Sequence, residues 1–175
     1  VRAQRLERWT HPACLEEDAL LRQCSISTGR TGGPGGQNRN KVETLVELTH
    51  LATGIMAHAS ERRSQMENKR MALRRLRLAL AVAARMPVPI GEIGSTLWRS
   101  RVKGSRISCN PEHEDYPALL AEAMDVIASC NWDPKMAGLR LECSASQLIK
   151  LAKDHPPAVL IWNQQRESRG LHPLR

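Results

Sequence analysis

The chain has 175 residues, 41% of them hydrophobic and 25% charged, proportions of an ordinary globular protein that exclude a wholly disordered or fibrous one. No apolar run approaches the roughly 20 residues of a membrane span, and the five cysteines carry no Cys-x-x-Cys pair, so neither a membrane segment nor a disulfide framework is expected. A formal net charge of +8 points to a polyanionic partner, nucleic acid ahead of an anionic membrane surface, although a merely solvated basic face remains open on charge alone.

The charge is regional. Residues 23–85 hold eleven basic and four acidic side chains, whereas 111–175 hold seven and nine. The first residues, from Val1 to Arg5, lack the apolar stretch of a signal peptide. A cytoplasmic protein is expected, or one of an organellar matrix in a eukaryote.

In chain order, Pro12 to Gln23 predicts a short helix with Glu16, Glu17 and Asp18 near its positive end. Cys24, Ile26 and Thr28 alternate with polar residues as a strand with one buried face would. After a glycine-rich run, Val42, Thr44, Val46 and Leu48 share one side of a second strand. Thr53-Gly54 marks a turn, and Ile55, Ala57 and Ala59 a return strand. From Ser64 to about Ala84 the period becomes helical: Met66, Leu73, Leu76 and Leu80 share an apolar face, with Arg63, Arg70, Arg74 and Arg77 on a second stripe.

Pro87 and Pro89 end that helix, and the glycines, serines and arginines up to about Asn110 suggest a basic linker with little regular structure. Trp98 lies there among Arg99, Arg101, Lys103 and Arg106. That setting suits a ring stacked on RNA, with a solvated linker as the competing reading; the other tryptophans suit a core. Beyond it, Pro117, the Asp133-Pro134 pair, the capping-box spacing of Ser144 and Gln147, and Gly170 after Pro157–Arg169 punctuate an all-helical C-terminal third. Cys109 and His113 are half a metal site without a second half, so no metal is assigned.

Four of the five residues from Gly32 to Gly36 are glycine, which is costly in backbone entropy. The run fits neither the phosphate-binding GxxxxGK[ST] pattern nor GxGxxG, whose third glycine is replaced by Asn38. Taken alone, it also suits a hairpin tip without a ligand.

Gly35-Gly36-Gln37, preceded by Gly33-Pro34 and followed by Asn40-Lys41-Val42-Glu43-Thr44, resembles the GGQ motif of bacterial-type class I peptide chain release factors. The similarity continues through Leu48-Thr49-His50, Thr53-Gly54-Ile55, Arg63-Ser64-Gln65 and Asn68, covering 23–82. Asn38 and Arg39 replace the usual His-Val, Gly32 a serine and Arg62 a glutamate.

The resemblance implies hydrolysis of the ester between nascent peptide and P-site tRNA in the peptidyl-transferase centre of the large ribosomal subunit. Gly35, Gly36 and Gln37 would be catalytic: a pre-positioned Gln37 N–H stabilises the oxyanion and the leaving alkoxide, and the glycines permit that backbone pose. No cofactor is needed. Gln37 becomes a candidate for methylation by a release-factor glutamine methyltransferase. Around the motif, Arg30, Arg39, Asn40 and Lys41 are candidate RNA contacts; so are Arg62, Arg63, Lys69, Arg70, Arg74 and Arg77 beyond it, and Arg99, Arg101 and Lys103 in the linker. Since 175 residues leave no room for a codon-reading domain with the rest, a stand-alone, rescue-type member that reads no stop codon is expected, as a monomer. A non-hydrolytic rRNA or tRNA binder, or a general RNA-binding protein, is the alternative.

The expected fold is α+β: a small, mostly antiparallel sheet, a long packed helix and an exposed GGQ loop. Its divisions are an N-terminal helical segment (1–22), the GGQ domain (23–85), a basic linker (86–110) and a helical module (111–175).

Overall fold

The computed structural model describes residues 11–30, 44–91 and 93–174. The GGQ segment, Val42 and Trp9 therefore lie outside the described residues. The fold is α+β, and the chain divides into two compact units, one of residues 15–80, the other of residues 1–14 together with 81–175.

The first unit opens with helix α1 (Glu17–Leu21). The single helix expected from Pro12 is split, because Glu16 takes an extended φ/ψ of −55° and 152° and the helix starts afresh behind it. Strands β1 (Cys24–Gly29), β2 (Leu45–His50) and β3 (Met56–Ala59) form an antiparallel sheet in the order β1-β2-β3. On the central strand, Val46, Leu48 and His50 are buried in strict alternation. Register places Ile26 beside Leu48 and Thr28 beside Val46, on the expected side. Yet β1 has no buried residue, and Ile26 keeps 48% of its surface exposed. An edge strand has a neighbour on one flank only. The β2–β3 turn closes with Gly54 at φ 70°, its N–H donating to His50 O at 2.8 Å, a left-handed pose that favours glycine.

Helix α2 (Gln65–Ala83) starts at Ser64, whose Oγ accepts from Glu67 N. Its buried line runs through Asn68, Ala72, Leu76 and Leu80, with Leu73 beside it; each fully buried leucine contributes about 1.5–3 kcal/mol. Met66, expected on this face, falls at its margin and is 66% exposed, because Asn68 holds the buried position of the first turn.

In the second unit, a short 3-10 turn (Pro12–Cys14) accompanies helices α3 (Thr96–Arg101), α4 (Tyr116–Ser129), α5 (Pro134–Arg140), α6 (Ala145–Lys153) and α7 (Pro156–Glu167). Between α3 and α4, β4 (Val102–Lys103) and β5 (Arg106–Ile107) pair as a two-rung hairpin. The C-terminal third is helical throughout its described elements, as expected. The stretch 86–110, by contrast, contains α3 and the hairpin where a linker of little regular structure was expected. Ser95 explains the difference: its Oγ accepts from Trp98 N as an N-cap.

Trp98 is only 2% exposed, and its Nε1 donates to Leu141 O at 2.9 Å. The ring is a core anchor, which removes it as a platform for RNA. Trp162 Nε1 donates to Trp132 O and Tyr116 OH to Leu151 O, so each polar tip finds a partner inside the core. Asp133 and Ser144 cap α5 and α6. Gln147 accepts from Ile107 N rather than closing the expected capping box with Ser144. Two buried carboxylates one turn apart on α4 fasten the segment after α2: Asp125 accepts from Arg85 Nη1 and Met86 N, Glu122 from Ser95 N and Oγ. Burial pushes the Glu122 carboxyl above the usual range, partly opposed by the Ser95 hydrogen bonds.

Candidate functional site

Gly29 and Leu45 form the last rung of the β1–β2 ladder, so the chain from Arg30 to Thr44, with Gly35, Gly36 and Gln37 in it, connects two strand ends already held together. At its far end the connection is anchored by Asn68. This side chain is fully buried; its Nδ2 donates to Thr44 O at 2.6 Å and Arg62 O at 2.8 Å, while Oδ1 accepts from Arg62 N at 2.9 Å. One amide thus ties together the residue ending the GGQ connection, the turn before α2 and α2 itself. Both Nδ2 protons are used, which a buried amide requires.

At the opposite end of the sheet, His50 Nδ1 lies 2.8 Å from Thr53 Oγ1 and Nε2 lies 3.1 Å from Gln23 Oε1. Both partners are uncharged, and burial lowers the imidazole's pKa, favouring the neutral ring. The β2–β3 turn and the entry to β1 are fixed by this cluster.

Gly35, Gly36, Gln37, Arg39, Asn40 and Lys41 lie outside the described residues. Arg30 is exposed directly after β1, and Arg62 and Arg63 are exposed in the turn before α2. Arg70 is exposed on α2, with Lys69, Arg74 and Arg77 half-buried. Arg75 is committed elsewhere: Nη2 pairs with Glu61 and Nη1 donates to His58 O, each at 2.7 Å. The Arg75 hydrogen bond is the main reason the Glu61 carboxyl is lowered to about 2.

In the second unit, Arg99 and Lys103 are exposed, whereas Arg101 is held by Asp115 through Nε at 3.0 Å and through Nη2. The anchoring role of Asn68 cannot be read from the chain alone, because its acceptor Thr44 is 24 residues away in sequence. Among the described residues, no group of three or more His, Cys, Asp and Glu is placed to hold a metal ion.

Residues 19–88 match the family model of the RF-1 domain. Gly35-Gly36-Gln37 lies within this matched segment, so residues 19–88 resemble a GGQ-containing RF-1 domain. The matched span covers the whole β1–β2–β3 sheet and α2, so the GGQ connection and its Asn68 anchor fall inside the domain. Among similar proteins, the chloroplastic peptide chain release factor PrfB1 of Arabidopsis thaliana is 54% identical over 59 residues, 34% of this chain and 13% of that protein. Peptide chain release factor 1 of Chlorobaculum tepidum is 45% identical over 71 residues, 39% of this chain and 20% of the relative. The Thermotoga maritima protein of that name has the same identity over the same length, covering 21% of the relative. The chain thus spans about a fifth or less of these relatives. Residues 89–175, including α3 to α7, lie beyond the match to the RF-1 domain.

Proposed function

We propose that this chain promotes ribosome-dependent hydrolysis of the peptidyl-tRNA ester. The observation carrying this reading is the Gly35-Gly36-Gln37 sequence inside the RF-1 match, on a connection whose strand ends are paired and whose exit is tied down by Asn68. Water attack on the ester carbonyl creates a tetrahedral oxyanion and then a ribose alkoxide. A backbone N–H fixed in advance at Gln37 stabilises both without the reorganisation that a mobile donor would require. Ribosomal RNA and the tRNA ribose complete the centre, so this chain contributes no acid–base pair.

Release proceeds without stop-codon reading, as in ribosome rescue. Supporting this finer reading, residues 89–175, beyond the RF-1 match, belong to a second compact unit and carry helices α3 to α7. The RNA contacts are Arg30, Arg39, Asn40 and Lys41 around the motif, Arg62, Arg63, Lys69, Arg70, Arg74 and Arg77 beyond it, and Arg99 in the second unit. Gln37 is the proposed site for a glutamine methyltransferase, checked by one extra methyl in the intact mass of native protein. Among the described residues no helix is long and apolar enough to cross a membrane.

A peptide-release assay on ribosomes stalled without a stop codon tests the proposal. Gly36→Ala and Gln37→Ala should each lower release by about 10²–10³-fold, the usual cost of a lost oxyanion donor, with ribosome binding retained. Full release by a folded Gly36→Ala chain would exclude hydrolysis through this motif. Binding without release by the parent chain would instead identify a non-hydrolytic RNA-binding factor.

A further inference from the structure

The β4–β5 hairpin holds two cations in an arrangement that its own fold does not balance. Lys103 and Arg106 are directly opposed on one rung, and both are exposed. Neither side chain has a hydrogen-bond or ion-pair partner among the described residues. Like charges directly opposed across strands destabilise a pair. The neighbouring sequence does not relieve them, since Thr96 to Ser108 contains four basic residues and no acidic one. Arg101 brings no carboxylate to the rung, since its own partner Asp115 is taken by its guanidinium.

The hairpin is also held firmly. Gly104 and Ser105 form its two-residue turn with φ of 54° and 63°, both left-handed as in a type I′ turn. Ser105 O accepts from Ser144 N at 3.1 Å, Ile107 N donates to Gln147 Oε1 at 3.1 Å, and Ser108 N donates to Arg101 O at 2.8 Å. The tip is therefore tied to the start of α6, and the two cations need little further ordering to meet a ligand.

We infer that the Lys103–Arg106 rung, in the second unit, is a phosphate-contacting site for an RNA backbone. Strands about 4.7–4.9 Å apart place the two cations side by side, a spacing from which two flexible side chains reach successive phosphates of one strand. A lipid surface fits less well: the turn is Gly104-Ser105, and Val102 and Ile107 are half-buried, so no apolar side chain projects at the tip to enter a bilayer. The choice of RNA among polyanions rests on the proposed function. The cationic rung itself does not.

The test titrates the full-length chain with a fluorescein-labelled RNA stem-loop over a salt series, with no ribosome and no release step. Lys103→Ala with Arg106→Ala should reduce the salt slope of log K by about 1.4–1.8, because two fewer phosphates are neutralised at about 0.7–0.9 each. Lys135→Ala with Lys150→Ala removes the same charge from exposed positions on α5 and α6 and should change it by less than half as much. The exchange Lys103→Arg with Arg106→Lys keeps both charges and should keep the slope, which separates charge from a folding defect. An unchanged slope in the alanine pair, or an equal fall in the control pair, overturns the site. Loss of binding to phosphatidylserine vesicles or to polyglutamate, with RNA binding intact, overturns the choice of RNA. If the parent chain releases no peptide but the slope still falls, the hydrolase reading fails and this site stands.

Discussion

Asn68 shows how much one buried amide can control around a site it does not enter. Replacement by alanine leaves Thr44 O, Arg62 O and Arg62 N without the partner each now has, at about 1–3 kcal/mol per buried group left unpaired. Asn68→Ala should therefore lower the urea midpoint by more than a typical surface change. Asn68→Asp should not rescue it, because a carboxylate donates nothing to the two carbonyls; equal midpoints for parent and Asn68→Asp would exclude the anchor. His50 acts through its charge state. Its lowered pKa means that its contribution is present above the ordinary histidine value of about 6.5 and is lost as pH falls through the folded-state value. Stability should decline between pH ~7 and ~5, and less steeply in His50→Gln; parallel curves would exclude titration of this ring. Both residues stood in the motif resemblance, but what each touches depends on partners far along the chain.

Among the elements, those with local signals were legible and those defined by distant packing were not. The β2 alternation, the Gly54 turn and the leucines of α2 are periodic features that short-range geometry makes visible. Ile26 shows the same alternation and stays exposed, because alternation records which face a side chain takes and not whether another layer covers it. Helix α3 is hidden in the sequence behind two prolines and several glycines, yet it is capped by Ser95 and anchored by Trp98 on Leu141, a partner 43 residues on. Gly138 in α5 is a related case. A Cβ there would lie 2.7 Å from Cys143 O and 3.2 Å from Ala145 N, both backbone atoms. Alanine gains about 1 kcal/mol in helix propensity, but forcing α5 away from the start of α6 costs about 1–3 kcal/mol. Gly138→Ala should therefore lower Tm in a thermal melt, and a raised Tm would mean that the α5–α6 turn yields without cost.

Across the chain, positive charge falls in both units, on α2 in the first and on the β4–β5 hairpin in the second. Charge reversal of Arg70, Arg74 and Arg77 should weaken binding to the large ribosomal subunit and reduce its salt slope by about 0.7–0.9 for each phosphate no longer neutralised. A lowered Tm with an unchanged slope would make the stripe structural. The sequence alone determined the α+β class, the positions of the sheet and of α2, and the Gly35-Gly36-Gln37 motif, because period, turn chemistry and a contiguous motif are encoded within a few residues of one another. Tertiary structure decided that Asn68 secures the exit of the GGQ connection and that Trp98 belongs to a core. It also decided that Arg101 is spent on Asp115 while Lys103 and Arg106 face each other unbalanced. Each of these depends on which carbonyl, carboxylate or strand the folded chain brings alongside, and a buried polar group or a surface charge takes its role from that neighbour.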